Sequence, residues 1–137
     1  METNFSIETT KWLGHWLSGG ADASDVPAIV HEELNKLMEE MSHTKIRVFR
    51  GLTPEDHVLL GRLTFAGFSS WTHDIEIAHS FGDVVVSCDV DPTEVLIDTT
   101  LIDPNFIMVK CSGFPEEKEV ILNPGTYDVT MGAELPP

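Results

Sequence analysis

The hydrophobic pattern of this chain changes period near residue 44, and that change constrains the fold more than any other feature. Before it, apolar residues recur three or four apart. Trp12/Trp16 and Leu13/Leu17 fall at helical spacing over residues 6–18, with Ser6 placed to cap and Gly19-Gly20 to stop the helix. Val30, Leu34, Leu37, Met38 and Met41 form the stripe of a second helix beginning at Ser24 or Asp25. Its other face carries Glu32, Glu33, Glu39 and Glu40, which reads as a solvated face. After residue 44 the apolar runs become short and alternating. Helices followed by many short strands predict an α+β fold.

The second part supplies the candidate strands. Lys45 to Arg50, Phe68 to Trp71, Val84 to Val90, Thr93 to Ile97, Phe106 to Lys110, Glu117 to Leu122 and Thr126 to Met131 read as strands. Thr53 and Pro54 suit the start of a short helix, and Gly61 to Gly67 reads as a connection. Thr72 is placed to cap a helix from Asp74 to Phe81. The chain divides into a helical part, 1–44, a β-rich part, 45–131, and a loose tail, 132–137, all within one domain by length.

Charge narrows the partners. Eight Lys and Arg against 23 Asp and Glu give a formal net charge of −15. Phosphate contacts need cations, so this balance argues against nucleic acid and anionic membranes as partners. It suits a basic partner or a nucleic-acid mimic. No secretory leader or bilayer-spanning run is expected. Cys88 and Cys111 stand far apart and outside any Cys-x-x-Cys pattern, so a cytoplasmic protein is expected. Cys88 alternates with Val84, Val86 and Val90 and reads as core. His31 and His43 have no third ligand at metal spacing, and no metal is assigned.

Glu117-Lys118-Glu119 precedes the apolar Val120-Ile121-Leu122, which Asn123-Pro124-Gly125 ends. Alternation places both glutamates on one face at the start of a strand. Two readings stand. They are solvated glutamates on a strand edge, or a carboxylate pair whose members take different roles because their surroundings differ.

Two further stretches bear on the choice. Val48-Phe49-Arg50-Gly51, then Phe68-Ser69-Ser70-Trp71-Thr72 with Ala78 and Phe81, precede the Glu-x-Glu in order. Together the three resemble the motifs of the Arg–Ser–Glu class of ADP-ribosyltransferases, over residues 45 to 130. The resemblance implies two packed, mostly antiparallel sheets, a split β-sandwich with NAD in the cleft between them. It implies a mono-ADP-ribosyltransferase that uses NAD as substrate and modifies an acceptor protein, of the arginine-directed type. The acceptor would be a host protein if the chain is a phage or bacterial effector.

Residue roles follow from the same resemblance. Arg50 would hold the diphosphate, its plain alternative being an ion pair with one of the many carboxylates. Gly51 would let the backbone approach the nicotinamide amide, or simply serve a turn. Ser70 would hold the catalytic carboxylate and Thr72 support the cleft. Trp71-Thr72 stands where many relatives have Thr-Ser, which keeps the second hydroxyl. Phe81 matches the family aromatic, with core packing its simplest role. Glu119 would bind the ribose and oppose the positive charge that develops on it. Glu117 would orient an arginine acceptor and take its proton. Phe114 would touch the acceptor protein or fold onto the core. The rival to an enzyme is an acidic inhibitor or interaction protein on the same fold.

Overall fold

The computed structural model describes residues 5–19, 25–54 and 56–131. Helix α1 spans Ile7–Leu17, and the Ser6 side chain accepts from the Thr9 N–H as the expected cap. Helix α2 spans Ala28–Met41. It begins after Pro27 rather than at Asp25; Ser24 lies outside the described residues. The reason is steric, because a proline ring drives the preceding residue, here Val26, out of the helical region. Val30, Leu34 and Met38 are buried as the stripe predicts. Glu33 leaves the solvated face: its Oε1 accepts the Ser6 N–H at 2.9 Å, tying α2 to the start of α1.

The remaining elements are β1 (Ile46–Gly51), β2 (Arg62–Phe65), β3 (Ser69–Thr72), α3 (Ile75–Phe81), β4 (Val85–Val90), β5 (Val95–Asp98), α4 (Pro104–Lys110), β6 (Glu119–Leu122), β7 (Gly125–Asp128) and β8 (Thr130–Met131). Six strands form one sheet in the order β5-β6-β3-β1-β4-β8, and β2 pairs with β7 in a second. Every pairing is antiparallel. The fold is α+β. Trp71 joins the sheets, packing edge-on against Phe65 at 6.1 Å and Tyr127 at 6.2 Å. Helix α2 packs by β5, and α3 lies on β1.

Five local readings are corrected. Residues 106–110 are helical, since the Asp103 side chain caps the Asn105 N–H at 2.9 Å and Pro104 opens the helix. A cap followed by proline outweighs a short apolar run. The expected connection 61–67 contains β2, whose four residues sit between two glycines. No helix forms at 53–56 among the described residues: the Asp56 carboxylate accepts from the Thr53 N–H instead. The expected strand 126–131 splits at Val129, giving β7 to one sheet and β8 to the other. Asp74, rather than Thr72, caps α3.

Candidate active site

Strand β3 lies between β1 and β6, so the three quoted motifs are neighbours in one sheet. Register brings Thr72 opposite Glu119 and Ser70 opposite Ile121, so Ser70, Thr72 and Glu119 share a face, and Trp71 is buried on the other. Phe49 of β1 stands opposite Thr72. On that face opens a cleft of about 190 Å³ lined by Arg50, Gly51, Ser70, Thr72, Phe81, Glu117 and Glu119, with Phe49 and Ile77 beside them.

The glutamates reach it by different backbones. Pro115–Glu117 is a turn of 3-10 helix, and Lys118 follows at φ 48°, ψ 47°, left-handed. Only Glu119 belongs to the strand. The expected alternation of Glu117 and Glu119 along one strand is therefore wrong, although both line the cleft. Proline at 115 starts the 3-10 turn and displaces strand geometry. Three consecutive carbonyls from the end of this turn into β6 are held: Thr72 Oγ1 donates to Glu117 O at 2.7 Å, the His73 N–H to Lys118 O at 3.2 Å, and Thr99 Oγ1 to Glu119 O at 2.7 Å. Thr72 is 5% exposed, and its hydroxyl also accepts from the Asp74 N–H. It braces the turn.

Glu119 is partly buried, and burial is the chief reason its pKa is raised. Hydrogen bonds from the Ser70 hydroxyl and the Trp16 indole pull the pKa back, and the charge of Glu117 adds to the rise. Trp16 Nε1 donates to Glu119 Oε2 at 2.5 Å. Glu117 is also raised, first by burial and then by Glu116. Carboxylates perturbed by burial in a cleft are candidates for function.

Arg50 forms the ion pair that was its plain alternative. Its Nε and Nη2 pair with Asp56 at 3.3 and 3.2 Å, while Nη1 donates to Ser70 O at 2.7 Å. The guanidinium also lies 5.0 Å from the Phe65 ring centroid, a cation–π distance. Asp56 is the ion-pair partner, and Arg50 still lines the cleft. It lines a second groove as well, of about 670 Å³, with Asp56, His57, Leu60, Arg62 and Thr126. Arg50 is thus the boundary between the two hollows.

The plain alternatives given for three residues change. Gly51 admits helix α3: a Cβ there would sit 2.0 Å from the Ala78 carbonyl oxygen. Phe81 is 62% exposed at the cleft and is not core. Phe114 is 61% exposed at the start of the 3-10 turn, outside the cleft lining and not folded onto the core. Trp16, Asp56 and Thr99 escaped sequence reading. Helical spacing pairs Trp16 with Trp12, and the two rings do stack at 5.4 Å. Asp56 falls just after Thr53 and Pro54, where a short helix is expected. Nothing local marks any of the three as a partner of residues far along the chain.

No family model and no curated protein matches this sequence. Among solved structures, the chain is similar to exoenzyme S from Pseudomonas aeruginosa, crystallised with human 14-3-3 protein beta and bound to carba-NAD. Identity is 18% and the TM-score 0.48, over 82% of this chain and 54% of that one. This chain thus spans about half the length of that protein. A likeness at this level fixes neither fold nor chemistry, and the functional reading rests on the sequence motifs and the cleft.

Proposed function

We propose that the protein is an NAD-dependent mono-ADP-ribosyltransferase that transfers ADP-ribose to a protein acceptor, an arginine side chain, and releases nicotinamide. The observation that carries this reading is the meeting, in one cleft, of a braced and partly buried Glu119 with Arg50. An electrophilic sugar needs a fixed carboxylate, and a diphosphate needs a cation.

The dimensions suit the parts of NAD. A cleft of about 190 Å³ is on the scale of one that takes a single aromatic ring, ~150 Å³. Nicotinamide would enter there, and the adjoining groove offers room for the rest of the dinucleotide. Arg50, at the boundary, would meet the diphosphate with the donors not turned to Asp56 and Ser70. The bond from ribose C1′ to the nicotinamide nitrogen breaks, and its electron pair leaves with nicotinamide. Positive charge then spreads over C1′ and the ring oxygen, and Glu119 opposes it. The acceptor nitrogen attacks C1′ and loses a proton to Glu117. Exposed Phe114, next to that turn, is offered to the acceptor protein.

The test measures nicotinamide release from NAD with and without an arginine donor such as agmatine. Glu119→Gln should lose on the order of a hundredfold or more in both reactions. Glu117→Gln should keep most hydrolysis, because water carries no guanidinium charge to shed, and lose most transfer. Equal retention of transfer in Glu117→Gln would remove arginine as the acceptor. Near-native turnover in a folded Glu119→Gln protein would remove the assignment.

The Arg50–Asp56 ion pair favours a second reading, an acidic interaction protein with no NAD chemistry. NAD separates the two: a substrate raises the melting temperature, whereas a protein that does not bind it shows no shift.

A further inference from the structure

We propose that Trp16, on the N-terminal helix, is a positioning residue for Glu119: its indole N–H holds Oε2 so that the other oxygen faces the ribose. The inference rests on the role given to Glu119 above. Its basis is a contact across 103 residues of chain, Trp16 Nε1 to Glu119 Oε2 at 2.5 Å.

Packing alone explains the ring of Trp16 but not the direction of its N–H. The ring stacks on Trp12, with an interplanar angle of 23°. A buried indole N–H needs one acceptor. Trp12 takes a backbone carbonyl, that of Asp25, at 3.4 Å. Trp16 instead takes a side-chain carboxylate that lines the cleft, the costlier group to desolvate. A carboxylate has acceptor sites for several donors. Trp16 and Ser70 occupy part of that capacity from two different elements, α1 and β3, which fixes the rotamer without filling the carboxylate.

The donor is itself fixed. Helix α1 is tied to α2 through Ser6 and Glu33. It also lies close to the end of α4, where a Cβ on Gly14 would stand 3.4 Å from the Cys111 carbonyl oxygen. A helix clamped on two sides holds its indole in place. The N–H also favours the ionised carboxylate, the form able to oppose a cationic transition state. Among the described residues, the titratable and charged groups around Glu119 include Glu117 and Arg50 along the cleft and the hydrogen-bonded His73 and Asp98 beside it, His73 following Thr72 and Asp98 standing opposite Val120.

The experiment follows the indole directly. Protein labelled with 15N at its three tryptophans is titrated by NMR. We expect one indole resonance to move with a midpoint above the usual carboxylate range. It should stop titrating in Glu119→Gln and be absent from Trp16→Phe, which keeps a ring against Trp12 and removes the N–H. In Trp16→Phe the kcat for nicotinamide release should fall on the order of tenfold, with KM nearly unchanged and the acid limb of the pH–rate profile shifted up by roughly one unit. An indole that ignores pH, or that titrates unchanged in Glu119→Gln, overturns the proposal, and neither result needs the Trp16 variant to fold. A wild-type pH–rate profile in Trp16→Phe overturns it too. Nicotinamide release without the indole titration places the failure here. An intact titration without any nicotinamide release places it in the proposed reaction and removes Trp16's role with it.

Discussion

At Glu119 two requirements oppose each other. The chemistry needs an ionised carboxylate, and burial disfavours one. Ser70 and Trp16 offset only part of that cost, so the pKa stays raised. The sign of the stability effect follows by linkage. A carboxylate with a higher pKa in the folded state binds its proton more tightly there, so folding is favoured less as pH rises through that range. Above it, the ionised group is a net cost to the fold. Glu119→Gln should therefore raise the melting temperature at neutral pH by a few degrees while lowering turnover on the order of a hundredfold or more. The gain should fade as pH falls below the ordinary carboxylate range, where both side chains are uncharged. Thermal scans of the two proteins across pH check this. A variant less stable than wild type at neutral pH would mean that Glu119 is held chiefly for the fold.

Among the elements, the strand β3 and the helix α3 do the assembling. β3 carries Ser70 and Thr72 and pairs on one side with the strand of Arg50, on the other with that of Glu119. Helix α3 closes the cleft with Ile77, Ala78 and Phe81, and it reaches β1 only because residue 51 has no side chain. A Cβ on Gly82 would meet Leu52 O at 2.2 Å, so the approach is close at both ends of this contact. Gly51→Ala must push backbone away from backbone, which side-chain repacking cannot relieve. We expect a loss of about 1–3 kcal/mol or more in chemical denaturation, with weakened NAD binding in whatever folds. Unchanged stability would show that α3 sits further from β1 than described.

Over the whole molecule, charge dominates. A formal charge of −15 on 137 residues repels itself, and a folded chain concentrates that repulsion. Raising ionic strength from about 10 to about 150 mM shortens the Debye length from ~30 to ~8 Å, so the melting temperature should rise with simple salt. A fall would mean that ion pairs such as Arg47–Asp89 and Arg62–Asp128 outweigh the repulsion. Both are exposed, where such pairs contribute little.

What the sequence by itself determined is local or periodic. The α+β class, the cap at Ser6, the buried stripe of α2, the strands β1, β3 and β4, and the three motifs in their order could all be read from residue spacing. The candidacy of Arg50, Ser70 and Glu119 came instead from the resemblance of those motifs to a known family. Tertiary structure decided the rest, because the deciding partners are distant along the chain. Whether residues 106–110 coil or extend depends on a cap set against an apolar run. Whether 126–131 is one strand or two depends on which sheet edges are free. Periodicity records that Trp16 faces inward, but not that a glutamate 103 residues away is there to meet it.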